Sequence, residues 1–325
     1  MRYANVRATA MALSSLVLVL LTASVAAGQG ESTDAGVSRE RLLRIGQMID
    51  RRIDDREVPG AVALVAIDGR IVHFEARGQL DLESRKPMPK DAIFSLASLT
   101  KPVTAAAVLM LVEEGRVRLT DPVSQFIPEF KDLKVAVSPS QTVPASRPIT
   151  IRDLLTHTSG LVAPPRTPTE PAATQRFARR YDVVPGGLKP FERFDPPSYF
   201  GGGWGLYSTA QDYFRFAQML LNGGEFEGER LLSPRAVELM SGIHIPDTLP
   251  GRQPGEGWGL GVRVISSGAL RTSWLSNGSV GWSGASGTHF WIDPEKHLVG
   301  ILMAQAPAAG FRPDFETIVM QAVVQ

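Results

Sequence analysis

The sequence predicts an α/β (α+β) fold in which one antiparallel sheet takes its strands from both ends of the chain, with helices between them. Three observations predict it: a β-hairpin pattern early in the chain, three apolar strand patterns near its end, and helical patterns in the middle. Of 325 residues, 43% are hydrophobic and 21% are charged. Such a chain can bury a sizeable core and form about two lobes.

The individual elements follow from local patterns. Ser38 suits the N-cap of a first helix, Asp68-Gly69 is a strong signal for a hairpin turn, and Gly115 is typical of a helix C-terminus. Residues 162–197 lack apolar periodicity and predict a loop. The predicted helices are 37–54, 99–114, 150–156, 209–222, one starting at Ser233-Pro234, and 314–324, and the predicted strands are 61–67, 71–76, 259–265, 288–292 and 298–304.

The first residues resemble a secretory signal peptide. Arg2 and Arg7 precede an apolar run over 11–21, and small residues follow as far as Ala27. The run is shorter than the ~20 residues that a membrane span needs. We therefore expect a signal peptide over 1–27, a mature chain over 28–325 without a stable membrane span, and a periplasmic or secreted bacterial protein. An uncleaved anchor is the alternative.

Composition excludes several function classes. The chain has 34 basic and 33 acidic residues, so it has no net basic field for nucleic acid. It has no cysteine, which excludes disulfides, thiolate zinc sites and cysteine nucleophiles. The five histidines lack the spacing of metal ligands, and Gly201–Gly203 lacks the Lys-Ser/Thr of a phosphate loop. We expect no metal, no cofactor and no nucleic-acid partner.

Ser98-Leu99-Thr100-Lys101 is a Ser-x-x-Lys pattern at the predicted start of a helix. Residues three apart share a helix face, so the Lys101 amine can reach the Ser98 hydroxyl. A serine hydroxyl becomes a good nucleophile when a base takes its proton, and a lysine with a lowered pKa can be that base. The alternative is an N-cap serine beside a solvated lysine.

Five longer blocks make the chain resemble the serine β-lactamase superfamily, in the branch of class C β-lactamases, D,D-peptidases and family VIII carboxylesterases. The blocks are PGAVALVAIDGRIV, FSLASLTKPVTAAAVLMLVEEGRVRLTDPV, ITIRDLLTHTSGL, GGGWGLYSTAQDYFRFAQMLLNGGEFEGERLLSP and GWSGASGTHFWIDPEKHLVGILMAQ. The resemblance implies a β-lactamase/transpeptidase-like fold. It also implies a sheet lobe from about 37–97 and 225–325, and a reduced helical lobe from about 98–224.

The resemblance implies roles for particular residues. Ser98 corresponds to the acylated nucleophile and Lys101 to its proton partner. Trp282-Ser283-Gly284 takes the place of the family's third motif, which we expect on an edge strand that lines the site. The backbone N–H groups of Ser98 and Ala285 would then form the oxyanion hole. A Gly/Ser-rich turn into a strand is the alternative interpretation of 281–287.

The side chain at position 282 affects which class of substrate the site can bind. Related β-lactamases and D,D-peptidases have Lys or His at this place, which can hold a substrate carboxylate. Indole is uncharged and offers one N–H donor. The expected partners are small molecules, and a neutral ester suits this site better than a β-lactam or a cell-wall peptide.

The family's second motif, Tyr-x-Asn, occurs only as Tyr3-Ala4-Asn5 inside the predicted signal peptide, so the mature chain lacks it and the tyrosine that relays a proton. The chain runs from Leu161 into a Pro-rich stretch, so an internal piece is deleted relative to the family. Tyr181 and Tyr207 remain as candidate substitutes. The function we predict is a serine hydrolase acting through an acyl-Ser98 intermediate, esterase-like in preference. One alternative is an impaired relative that binds a cell-wall or acyl ligand without turnover, and another is a truncated product with an apolar flank.

Overall fold

The computed structural model describes residues 33–34, 36–161, 176–191, 201–249 and 252–324. The predicted signal peptide therefore lies outside the described residues. The helices are α1 Arg39–Asp54, α2 Thr100–Glu113, α3 Ile151–Leu155, α4 Ala210–Leu221, α5 Pro234–Ser241, α6 Gly268–Arg271 and α7 Phe311–Ala322, with short 3-10 helices at Ala97–Leu99, Val123–Gln125 and Pro128–Phe130.

The strands in chain order are β1 Thr33–Asp34, β2 Val37–Ser38, β3 Gly60–Ile67, β4 Arg70–Asp81, β5 Lys86–Pro87, β6 Phe94–Ser95, β7 Lys134–Ser138, β8 Gln141–Pro144, β9 Tyr181–Val184, β10 Gly187–Pro190, β11 Tyr207–Ser208, β12 Glu225–Phe226, β13 Glu229–Arg230, β14 Glu256–Trp258, β15 Arg263–Ile265, β16 Val280–Ser283, β17 His289–Asp293 and β18 Leu298–Ala304.

Eight of these strands form one antiparallel sheet in the order β14-β15-β16-β17-β18-β3-β4-β5. The pairing of β18 with β3 joins the end of the chain to its beginning, which confirms the predicted architecture. Local signals explain the first elements. The Ser38 side chain accepts from the Arg41 amide at the start of α1, and Asp68 and Gly69 both take positive φ in the turn between β3 and β4.

The sheet is covered on both faces. One core cluster joins α2, α4 and α5 to one face and includes Leu64 and Phe290. The other joins α1 and α7 to the opposite face and includes Trp291 and Phe315. All eight residues of β3 are buried, as expected for a strand with apolar layers on both sides. Helix α4 packs on the sheet, although its residues fall within the range expected for the helical lobe.

Three local predictions were wrong. Residues 259–265 are not one strand, because a turn at Gly261 separates β14 from β15. At Gly261 φ is 73° and an added Cβ would lie 2.6 Å from the Ala105 Cβ of α2, so close contact with that helix favours a glycine turn. The predicted loop contains the β9–β10 hairpin. The closing helix α7 begins three residues earlier than predicted and ends at Ala322.

The strand that carries Trp282 is also placed differently from expectation. Strand β16 is third from the edge of the sheet, with β15 and β17 on its two sides.

Within the described ranges, no helix has both the length and the apolar composition needed to cross a bilayer.

Candidate active site

Ser98 lies in a tight turn between β6 and α2. The preceding residue, Ala97, has φ of 48°, a left-handed conformation that costs a non-glycine residue about 1 kcal/mol. The Thr288 hydroxyl donates to the Leu96 carbonyl at 2.9 Å and holds the turn in place. The Ser98 side chain caps neither the short 3-10 helix nor α2, so it is not the N-cap serine of the alternative interpretation.

The structure brings Ser98 and Lys101 together. The Lys101 Nζ lies 2.7 Å from the Ser98 Oγ and donates to the Gly203 carbonyl at 3.0 Å. The Thr104 hydroxyl donates to the neighbouring Gly202 carbonyl at 2.7 Å, which ties this glycine turn to α2. The contact with Gly203 fixes the amine, and 2.7 Å is a distance at which a proton can pass between oxygen and nitrogen.

The end of β16 packs directly against the Ser98 turn. A Cβ added at Gly284 would lie 2.1 Å from the Thr288 hydroxyl oxygen and 2.3 Å from the Leu96 carbonyl oxygen, so only glycine fits. Among the described residues, the backbone amides of Ser98 and Ala285 have no hydrogen-bond acceptor. Backbone amides without an acceptor are the kind of donor that an oxyanion hole requires.

Trp282 and Ser283 point to opposite faces of the sheet, as successive strand residues do. The Ser283 hydroxyl bonds to the His289 Nδ1 at 2.9 Å, and the His289 Nε2 lies 2.9 Å from the Glu316 Oε1. Burial lowers the pKa of His289. Burial by itself raises the pKa of Glu316, but contact with His289 and Arg263 brings it to about 2. Ser283 thus belongs to a buried polar cluster on the opposite face of the sheet from Trp282.

Trp282 belongs to an aromatic cluster with Trp258 and His157. Its ring centroid lies 4.9 Å from that of Trp258 and 5.3 Å from that of His157. Within the described part of the chain, the buried Trp282 Nε1 has no hydrogen-bond partner. Among the described residues, the indole therefore contributes packing to this cluster.

His157 is a site residue that sequence reasoning missed. The sequence predicts only that it closes a short helix, and it does follow α3. In the structure it also lines the cavity that contains Lys101. Burial, aided by the positive charges of Lys101 and Arg252, lowers the pKa of His157 to about 4. The ring is therefore neutral near pH 7. The HTSGL block gave no local signal of this placement, which depends on contacts with distant tryptophans.

The two tyrosines proposed as proton relays lie in other contacts. The Tyr181 hydroxyl donates to the Asp81 Oδ1 at 3.2 Å and accepts from the Leu82 amide at 2.9 Å. Burial raises the pKa of Tyr181 to about 12. The Tyr207 ring packs on Phe177, with 4.9 Å between the centroids.

A cavity of about 1160 Å³ begins at Lys101 and extends along α2. Its walls are mostly apolar, and several wall residues are partly exposed, including Phe126 at 43% and Leu161 at 48%. An apolar flank is the feature that the truncated-product alternative predicts.

An eight-stranded antiparallel sheet, covered on both faces and carrying a serine with a lysine one helical turn later, is the architecture of serine acyl-transfer proteins of the β-lactamase/transpeptidase-like fold. The family profile described as Beta-lactamase matches residues 45–182 and 164–323. The chain belongs to the Beta-lactamase family, which confirms the resemblance seen in the sequence.

Similar proteins extend this result. Protein Rv1367c of Mycobacterium tuberculosis is 29% identical over an alignment of 342 positions. The alignment covers 76% of this chain and 85% of that protein. Esterase EstB of Burkholderia gladioli is 42% identical over 119 residues, 36% of this chain and 28% of EstB. The solved structure of EstCE1, titled a hydrolase with promiscuous acyltransferase activity, has the same fold, with a TM-score of 0.72 at 21% identity over 88% of this chain and 98% of EstCE1.

Proposed function

We propose that the protein is a serine hydrolase of esterase type that works through an acyl-Ser98 intermediate. The 2.7 Å separation of the Lys101 Nζ and the Ser98 Oγ carries this proposal. The Ala285 and Ser98 amides, which have no acceptor among the described residues, support it, because they can receive the charge that develops on a carbonyl oxygen.

The reaction has two halves. First, once Lys101 has released a proton to solvent, the Ser98 Oγ adds to the ester carbonyl carbon as its own proton moves to the Lys101 amine. The bond to the alcohol oxygen breaks, and the departing alkoxide takes that proton from Lys101. Second, water adds to the acyl carbon and passes a proton to Lys101. The bond to the Ser98 Oγ breaks, Oγ recovers the proton, and the carboxylic acid leaves. Replacement of this water by another alcohol would make the product an ester.

A neutral ester is the preferred substrate class. The family resemblance assigns the uncharged Trp282 to the position where relatives have a cation for the substrate carboxylate. The large cavity beside Lys101 is mostly apolar. The names of two relatives point the same way, because EstB is an esterase and EstCE1 is a hydrolase with acyltransferase activity. A β-lactam or a cell-wall peptide is the less favoured substrate.

A second candidate function is ligand binding without efficient turnover. The chain has no Tyr-x-Asn motif after residue 27, and the Tyr181 hydroxyl is engaged by Asp81 and Leu82. Loss of a general acid or base typically lowers a rate by about 10²–10⁴. On this account Ser98 forms the acyl intermediate, but water does not hydrolyse that intermediate efficiently.

One experiment separates these functions. Purified protein is incubated with p-nitrophenyl butyrate and, separately, with a fluorescent penicillin, and both turnover and intact mass are recorded. We expect butyrate release that disappears in Ser98→Ala and persists in Ser84→Ala, whose serine is exposed. A stable adduct without turnover would favour the binding function. Turnover that survives in Ser98→Ala would contradict both.

We also propose that residues 1–27 are a signal peptide that directs the protein to the periplasm or the exterior. The apolar run over 11–21 and the small residues up to Ala27 support this. Cell fractionation followed by intact mass of the recovered protein tests it. Recovery from the cytoplasm with residues 1–27 still attached would contradict it.

A further inference from the structure

The large cavity follows one face of α2 away from the catalytic pair. Lys101, Thr104, Val108 and Leu111 line it at successive helical turns. Leu111 lies ten positions after Lys101 in the helix, which corresponds to a rise of about 15 Å. The cavity is therefore a channel that begins at the amine beside Ser98 and continues for about three turns of helix.

The chemistry of the walls changes along this channel. Lys101, Thr104 and His157 provide polar groups at the end near Ser98. Farther along, the walls are aliphatic and aromatic, with Phe126 and Phe130 on the short 3-10 helices and Leu154 on α3. An occupant must therefore be polar at one end and apolar along the rest of its length.

We propose that this cavity is the binding site for the acyl chain of the substrate, and that the protein prefers esters of linear acyl chains of about eight to twelve carbons. The inference rests on the proposed hydrolase function of Ser98. With the ester carbonyl at Ser98, the chain passes Lys101 and extends along Val108 toward Leu111. An extended chain of single bonds advances about 1.2 Å per bond, so about twelve bonds fill 15 Å.

Other occupants fit the channel less well. A peptide or a penicillin nucleus carries amides and a carboxylate, and beside Leu111, Phe126 and Phe130 these groups would lose their water without gaining partners. A second copy of this chain could also cover the apolar walls. The acyl chain of an ester also accounts for the start of the channel within reach of the Ser98–Lys101 pair.

The test is a series of p-nitrophenyl esters from C4 to C14. We expect kcat/KM to rise about twofold per CH2 up to about C10–C12 and then to level off, since complete burial of a CH2 is worth about fourfold. Val108→Trp and Leu154→Trp put bulk into the channel and should lower the ratio of C10 to C4 activity at least tenfold. Val137→Trp, at a 56% exposed position outside the channel, is the matched control and should leave the ratio unchanged.

A binding measurement separates this inference from the proposed function. Ser98→Ala protein is titrated calorimetrically with decanoate and with butyrate. Decanoate should bind at least tenfold more tightly, and Val108→Trp or Leu154→Trp should weaken its binding at least tenfold, even if no ester is turned over.

Either of two results would overturn the inference while leaving the hydrolase intact. One is Ser98-dependent turnover with no chain-length preference and no decanoate binding. The other is a stable dimer in sedimentation velocity that neither binds decanoate nor dissociates in its presence, which would make a second copy the occupant. Circular dichroism of both tryptophan variants confirms that they are folded.

Discussion

The Arg312 guanidinium of α7 donates a hydrogen bond to the carbonyl oxygen of Gly284, the last residue of the Trp282-Ser283-Gly284 triplet. Ala285, whose amide is a proposed oxyanion donor, comes next in the chain. A helix on the far face of the sheet therefore holds the start of the loop that follows β16.

This contact predicts that Arg312 positions the loop that carries Ala285, the proposed oxyanion donor. Arg312→Met should lower kcat for ester hydrolysis about tenfold with little change in KM. This decrease in kcat is smaller than the roughly 10²–10³-fold decrease that is typical when an oxyanion donor itself is deleted. Steady-state kinetics measures this. The matched control is Arg235→Met on α5, at a side chain that is 74% exposed. Equal losses in the two variants would argue against a positioning role.

Gly284 offers a steric test of the junction between β16 and the Ser98 turn. In Gly284→Ala the new Cβ would collide with the Thr288 hydroxyl and the Leu96 carbonyl, so we expect both reduced stability and loss of Ser98-dependent turnover. Gly278→Ala is the control, because its Cβ would meet open space and only its φ of 85° opposes alanine, at a cost of about 1 kcal/mol. Urea unfolding compares them. A Gly284→Ala protein as stable and active as Gly278→Ala would contradict the close packing.

Trp282 should act through its ring and not through its N–H. Trp282→Phe keeps the contacts with His157 and Trp258, and since the Nε1 has no partner among the described residues, it should change KM less than twofold. Trp282→Ala should cost about 2 kcal/mol of unfolding free energy or more. Chemical denaturation and ester kinetics measure both. A large rise in KM in Trp282→Phe would show that the N–H binds substrate.

His157 makes stability depend on pH. Its pKa is about 4 in the folded chain, below the ordinary value of 6.5 that it regains on unfolding. Between these values the unfolded chain binds a proton that the folded chain does not, so acidification favours unfolding, whereas above pH 6.5 this contribution is constant. The contribution of His157 to stability should fall by at most about 1.4 kcal/mol per pH unit from pH 6.5 toward 4.

The measurement is urea unfolding at four pH values from 4.5 to 7.5. His157→Phe should show a shallower dependence below pH 6.5, and the exposed His297→Asn should keep the wild-type slope. If His157→Phe has the same slope as the wild type, burial of a neutral His157 is not the cause.

Elements with local signals could be predicted from the sequence. Ser38 and Asp68-Gly69 mark a helix start and a hairpin through their own backbone preferences, and both are confirmed. Ser98 and Lys101 are brought together by three-residue spacing at a helix start, which a sequence also displays. The turn at Gly261 was missed because its cause is contact with Ala105, far away in the chain.

The rest of the site depends on tertiary contacts. His157 appears in the sequence as the end of a helix, and only the packing of Trp258 and Trp282 brings it to the cavity. Ser283 appears as part of a motif, but the alternation of side chains along β16 directs it to His289. The position of His157 has no local sequence signal, whereas the direction of Ser283 follows from the alternation of side chains along β16.

The most direct test of the central claim is the mass of the acylated enzyme. Protein is mixed with p-nitrophenyl butyrate, quenched in acid at short times, and digested for peptide mapping. We predict one butyryl group on the peptide that contains Ser98, much slower formation of this adduct in Lys101→Met, and no adduct in Ser98→Ala. A butyryl group on another residue, or ester turnover that is undiminished in Ser98→Ala, would contradict the account.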